Sequence, residues 1–298
     1  MIYPSETVYG SLLHDPVKRR KDLATFDELD TLGFAFLSKN HFTRSGYRVH
    51  YSAKDCLLSL FQLHNETWNV WIHVIGSLAF AHLALQTPWT PLDAAADAIP
   101  TWPIVACLVC IALCFTLSAI YHLMYVQSPY WAKVFLQFDF AGILLLMMGT
   151  AVPMLYYTFY CDVFVRNLYV GMAFFFGATG FCVSFTAAFR TVTSLRIAVF
   201  MSIVMACVVV PLTHLLLTDG WHHPRVYMML GPLLSSLPFN LPGVVFYASR
   251  FPERISPGRF DIWGSSHQWW HLCVVVAGIL YYQQTLELHA WRSANPCV

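Results

Sequence analysis

The chain has 298 residues, 57% of them hydrophobic and only 11% charged, with a mean hydropathy of +0.55. Soluble domains carry about 25% charged residues, so a water-covered globular fold is excluded and a protein with several membrane spans is indicated. The net charge is +1, and no basic run is interleaved with aromatics, so no nucleic-acid partner is expected.

The opening segment, MIYPSETVYGSLLHDPVKRRKD, has no apolar core following a basic start and does not read as a secretory signal. Its Lys18–Lys21 cluster reads as a solvated face or an anchor to anionic lipid. Residues 54–68 place Cys56, Leu57, Leu60, Phe61 and Leu63–His64 on one side at helical spacing. That pattern predicts a short helix on the cytosolic interface, with a simple extension of the first span as the alternative. Seven apolar runs of about 20 residues then follow, at 69–88, 103–126, 133–155, 167–188, 197–217, 226–248 and 266–286. They are too long and continuous for barrel strands. The expected fold is an all-α integral membrane protein. It divides into a cytosolic tail with its interfacial helix (1–68), a seven-helix membrane domain (69–290) and a short outer tail (291–298).

Orientation follows from lysine and arginine. The tail holds eight, and the loops after spans two, four and six hold Lys133, Arg190, Arg196, Arg250, Arg254 and Arg259, fourteen in all. The opposite side holds Arg166, Arg225 and Arg292. The excess places the N-terminus in the cytosol and the C-terminus outside, opposite to the heterotrimeric G-protein-coupled receptors, so coupling in their usual manner is not expected. The Asn65-Glu66-Thr67 glycosylation pattern then faces the cytosol and should stay bare. Of nine cysteines, most lie inside spans. Cys107, Cys110 and Cys114 have metal-like spacing but read as small apolar packers. Cys161 and Cys297 fall at outer-side positions, which alone do not establish a bridge.

Five polar residues interrupt the apolar helices: Ser118 and His122 in span two, Asp139 in span three, and His267 and His271 in span seven. Ionisable groups in such places are costly and point to function. With the derived orientation, all five fall in the cytosolic third of the membrane. Residues at i and i+4 stack about 6 Å apart on one helix face, so His267 and His271 can share one metal. Three imidazoles suit Zn²⁺ with a fourth position for water. Asp139 is placed to take a proton from that water, and Ser118 to hydrogen-bond it or orient a ligand. A metal that only braces three helices is the alternative. His73, His82 and His214 lack partners at metal spacing and read as packed residues.

The chain resembles the progestin and adipoQ receptor family, related to haemolysin III and the alkaline ceramidases. The resemblance is carried by GYR at 46–48, CLLSLFQLHNETWNVWIHVIG at 56–76, Ser118-x3-His122, FDFAGI at 138–143 and FPERISPGRFDIWGSSHQWWH at 251–271. GTAVPMLYYTFYC at 149–161 and VVVPLTH at 208–214 lean towards its adiponectin-receptor branch. It implies seven helices with an inside N-terminus and one zinc on His122, His267 and His271. Asp139 would hold the zinc-bound water, with Ser118 beside it. It also implies ceramide amide hydrolysis, releasing fatty acid and sphingoid base, with lipid in an intramembrane pocket. A signalling receptor for a protein or steroid-like ligand, with structural zinc, is the alternative reading, and a lipid carrier a third. The plasma membrane is expected over the endoplasmic reticulum or Golgi. GYR begins at residue 46, which leaves a shorter tail than adiponectin receptors use for adaptors, so adaptor binding is not expected.

Overall fold

The computed structural model describes residues 22–88 and 99–297. The Lys18–Lys21 cluster lies outside them. The fold is predominantly helical. Among the described residues it departs from an all-α reading in one place, a two-stranded antiparallel ladder of β1 (Asp22–Ala24) and β2 (Tyr47–Val49), with Leu23 opposite Arg48.

A short helix, α1 (Ala53–Leu58), opens on a capping box. The Ser52 hydroxyl accepts from the Asp55 amide, and the Asp55 carboxylate accepts from the Ser52 amide. A 3-10 turn at Ser59–Phe61 ends it, and the chain bends before α2 (Thr67–Gln86). Segment 54–68 is therefore a separate helix and turn, not a continuation of the first span. Its side chains divide: Cys56 and His64 are buried, whereas Leu57, Phe61 and Leu63 are exposed. The one-sided pattern read from the sequence already divides inside α1, between Cys56 and Leu57.

The long helices are α2, α3 (Trp102–Met124), α4 (Pro129–Thr158), α5 (Val163–Ser184), α7 (Thr193–Val204), α8 (Val210–Thr218), α9 (Pro224–Ser249) and α10 (Ser266–Ala294). A five-residue helix, α6 (Ala187–Thr191), precedes α7, and a π-helical turn at Met205–Val209 joins α7 to α8 as one rod. Local chemistry sets the starts. Ser128 caps α4 at the Trp131 amide with Pro129 in its first turn, and Asp162 caps α5 at the Val165 amide.

Among the described residues, six helical rods are long and apolar enough to cross a membrane: Thr67–Gln86, Trp102–Gln127, Pro129–Thr158, Val163–Ser184, Thr193–Thr218 and Pro224–Ser249. Helix α10 spans 29 residues but is not among them. His267, Gln268, His271, Gln283, Gln284 and Glu287 dilute its apolar character. The protein is an integral membrane protein. Large apolar side chains such as Leu85, Phe164 and Leu217 are almost fully exposed, as a lipid-facing surface permits.

The helices pack chiefly as α2 on α3, α3 on α4, α4 on α5 and α9 on α10, and α10 also reaches α2, α3 and α4. Small residues allow close approach: the face of α4 at Gly142 lies against the Cys114 backbone, and that at Gly149 against Cys110. The cysteines of α3 thus serve in packing. Residues 22–66 form a cap with its own core, where Leu29, Leu37, Tyr47, Val49 and Cys56 bury against Tyr121, Tyr125 and Val126.

At the opposite end of the bundle, Cys161 and Cys297 form a disulfide, 136 residues apart in sequence. The sequence alone does not establish this bridge. It joins the α4–α5 connection to the segment after α10.

Candidate metal centre

His122 stands in the last turn of α3, with Ser118 one turn before it. Asp139 lies in the third turn of α4, and His267 and His271 in the first two turns of α10. The packing of α3 against α4 and α10 brings these turns to one end of the bundle.

The three imidazoles converge. His122 Nε2 lies 3.1 Å from His271 Nε2 and 3.4 Å from His267 Nε2. One ligating atom from each ring falls within 4.8 Å of the others. Nitrogens bound at 2.0–2.1 Å to one tetrahedral ion stand about 3.4 Å apart. The spacing therefore suits a shared ion. His122 and His271 are buried. This three-histidine group is compatible with zinc.

Asp139 is not a member of the converging group. The Ser118 side chain and the His122 ring both lie near its carboxylate. Asp139 is thus positioned beside the cluster, next to a buried serine.

Several participants have no apolar-span signature. Glu66, the residue preceding α2, accepts from His122 Nδ1 at 2.8 Å, from the Tyr125 hydroxyl at 2.9 Å and from Asn69 Nδ2 at 2.6 Å. A carboxylate on Nδ1 fixes the tautomer that frees Nε2 for a metal. Burial alone would raise the Glu66 carboxyl, but its pairing with His122 and Asn69 holds it well below the usual carboxylate range. Apart from the family-like stretch 56–76, its sequence signal is its place in the Asn65-Glu66-Thr67 pattern. That pattern misdirects, because Asn65 is itself buried, with its amide donating to the Gly46 carbonyl.

Arg48 is 1% exposed. It donates to the backbone carbonyls of His122 and Leu123 and to the Ser59 hydroxyl. It satisfies the otherwise unpaired carbonyls at the end of α3, where a cation also suits the helix dipole. Glu253 does the reverse at α10, accepting from the amide and hydroxyl of Ser266 beside His267. Asp261 accepts from the Arg44 amide and the Ser45 hydroxyl, so cap and α9–α10 loop interlock. Lys39 donates to the Tyr121 hydroxyl at 2.6 Å and lies over the Tyr121 and Tyr125 rings. Desolvation of its ammonium lowers its pKa, opposed by Glu66 and Asp139.

The remaining histidines separate. His214 is held by the Tyr169 hydroxyl at 2.9 Å, and His82 faces outward rather than packing. His73 is buried against the His271 ring, with centroids 3.9 Å apart.

The model of the haemolysin-III-related family matches residues 61–282, which contain all five of these site residues. The chain belongs to that family. It is 32% identical over 263 residues to the adiponectin receptor protein of Drosophila melanogaster, covering 86% of this chain and 58% of that protein. It is 33% identical over 269 residues to progestin and adipoQ receptor-like protein 1 of Caenorhabditis elegans, covering 88% and 61%. With human progestin and adipoQ receptor family member 3 the identity is 29% over 265 residues, covering 88% and 85%. The chain thus spans about three-fifths of the first two relatives. The family match reaches Glu66 as well as the histidines, but begins after Arg48.

Replacing Glu66 with Gln removes the anionic partner of His122 and keeps its shape. Zinc affinity is expected to fall about 10–100-fold, read by competition with a chelating indicator. Unchanged affinity would mean that Glu66 does not orient His122.

Proposed function

We propose that this protein is a seven-span, zinc-dependent amide hydrolase of the bilayer, cleaving a ceramide-like lipid to a fatty acid and a sphingoid base. The convergence of three imidazole nitrogens with a carboxylate and a serine close by, at one end of a membrane bundle, carries this reading.

His122, His267 and His271 would hold one zinc ion, which supplies Lewis-acid polarisation of a carbonyl and activation of water when bound. The chain's own groups have separable tasks. Asp139 accepts a proton from the attacking water at its carboxylate and delivers it to the leaving amine. Ser118 holds that carboxylate in place. Arg48 and Glu253 fix the ends of the two ligand-bearing helices. The acyl chain lies between helices. In support, a cavity of about 180 Å³ lies among α4, the α7–α8 rod, α9 and α10, lined by Met147, Met154, Ile203, Cys207, Leu233 and Tyr281 among others. Its nearest lining residue on α4, Met147, is eight residues from Asp139, about 12 Å along the helix. Fatty acid release from ceramide by the purified protein, lost on chelation, tests the reading.

We further infer that α10 is the seventh crossing, that the N-terminus is cytosolic and that α1 lies at the interface. Fourteen of seventeen lysines and arginines on one side support the orientation. So does the disulfide at the other end, because such bonds persist in oxidising compartments. The exposed Leu57, Phe61 and Leu63 support the interfacial placement. An impermeant reductant followed by an impermeant thiol label should mark Cys161 on intact cells; labelling only after permeabilisation would reverse the orientation. The plasma membrane is the proposed location.

A receptor reading is favoured by a different observation: the cap grips the metal site through Arg48 and Glu66, so a change at the site reaches the cytosolic face. Relatives bear receptor names. In that reading zinc is structural and no fatty acid is released.

A further inference from the structure

Helix α2 turns one face towards the histidines. Asn69 and His73 are spaced i, i+4, and Glu66 precedes Asn69 by three, so all three stack on that face. The lower two are accounted for: Glu66 holds His122 Nδ1, and Asn69 holds Glu66. One turn further, His73 is 4% exposed and sits edge-on to His271, with centroids 3.9 Å apart and ring planes at 77°. Both ring nitrogens of His73 are buried without a hydrogen-bond partner among the described residues, and so is His271 Nδ1.

These nitrogens answer one another's need. His271 turns Nε2 towards the shared metal position, so in its neutral form Nδ1 carries the proton and must donate. Buried polar groups are rarely left unpaired. The neighbouring neutral imidazole always has one accepting nitrogen. His122 already has its orienting partner in Glu66; for His271, the unpaired nitrogens that face it among the described residues are those of His73.

We propose that His73 is the positioning residue of His271, accepting its Nδ1 proton directly or through one bridging water. Helix α2, which contributes no metal ligand, then orients two of the three ligands, one through a carboxylate and one through an imidazole. The inference rests on the three-histidine metal reading.

The test is zinc affinity, by chelator competition on detergent-purified full-length protein, for wild type, His73→Phe and His73→Gln. Phenylalanine keeps the ring that packs on Phe115 and loses both nitrogens. Glutamine keeps an acceptor and loses the ring. The expected result is a 10–100-fold loss for His73→Phe and near-wild-type affinity for His73→Gln, with similar thermal midpoints for all three after chelation. A purely structural role predicts the reverse order. Should His73→Phe not fold, His73→Leu replaces it as the apolar arm. The cobalt-substituted visible spectrum should be the same for wild type and His73→Gln; an altered ligand field would make His73 a ligand and overturn the positioning role. Wild-type protein that binds zinc with no change in His73→Phe overturns this inference alone. Wild-type protein that holds no metal overturns it together with the three-histidine reading.

Discussion

Asp139→Asn is expected to reduce fatty acid release from ceramide by about 10²–10⁴-fold while leaving zinc in place. Asparagine matches aspartate in size, so the local packing of α3 on α4 is retained. It cannot take a proton. Asp139 is not one of the converging ligand atoms, so metal content should not follow activity. Two assays on the same variant separate the roles. Loss of both zinc and activity would make Asp139 a ligand or a structural post, and retained activity would remove it from the chemistry altogether.

The second large effect is expected at His271. Alanine there leaves His122 and His267, and two imidazoles do not make a zinc site of the usual three or four protein ligands. Metal content should fall to background, with release abolished. His271 also ties α10 to α2 and α3 through its contacts with His73 and His122, so the thermal midpoint should drop. His214→Ala is the matched control. That histidine bonds Tyr169 away from the cluster, and zinc should be unaffected. A His271→Ala protein that retains stoichiometric zinc would place the metal elsewhere.

The candidate site residues are readable because imidazoles and a carboxylate stand out in apolar helices, where every polar atom is costly. Charge asymmetry then set Ser118, His122, Asp139, His267 and His271 at one depth, and the helix packing joins them. The same logic failed for Glu66 and Arg48. They lie before the first span, where a charged residue carries no signal, and only the folding of the cap onto α3 gives them a task. His73 carries no such signal, because a lone histidine has no ligand spacing in its own helix. Its partner comes from α10, about 200 residues on. The Cys161–Cys297 bridge was hidden for a related reason: two cysteines that far apart can be paired only once the bundle has brought their ends together. The strand pair in the cap is three residues on each side, too short to show an alternating pattern.

The most direct measurement takes one purified preparation and follows zinc content and ceramide turnover together. The protein as isolated should hold one zinc per chain and release fatty acid. A chelator should remove both, and zinc added back should restore release in proportion to the metal bound. Zinc present at full occupancy with no fatty acid released, in detergent and in bilayers alike, would contradict the hydrolase account and leave a metal that braces a receptor.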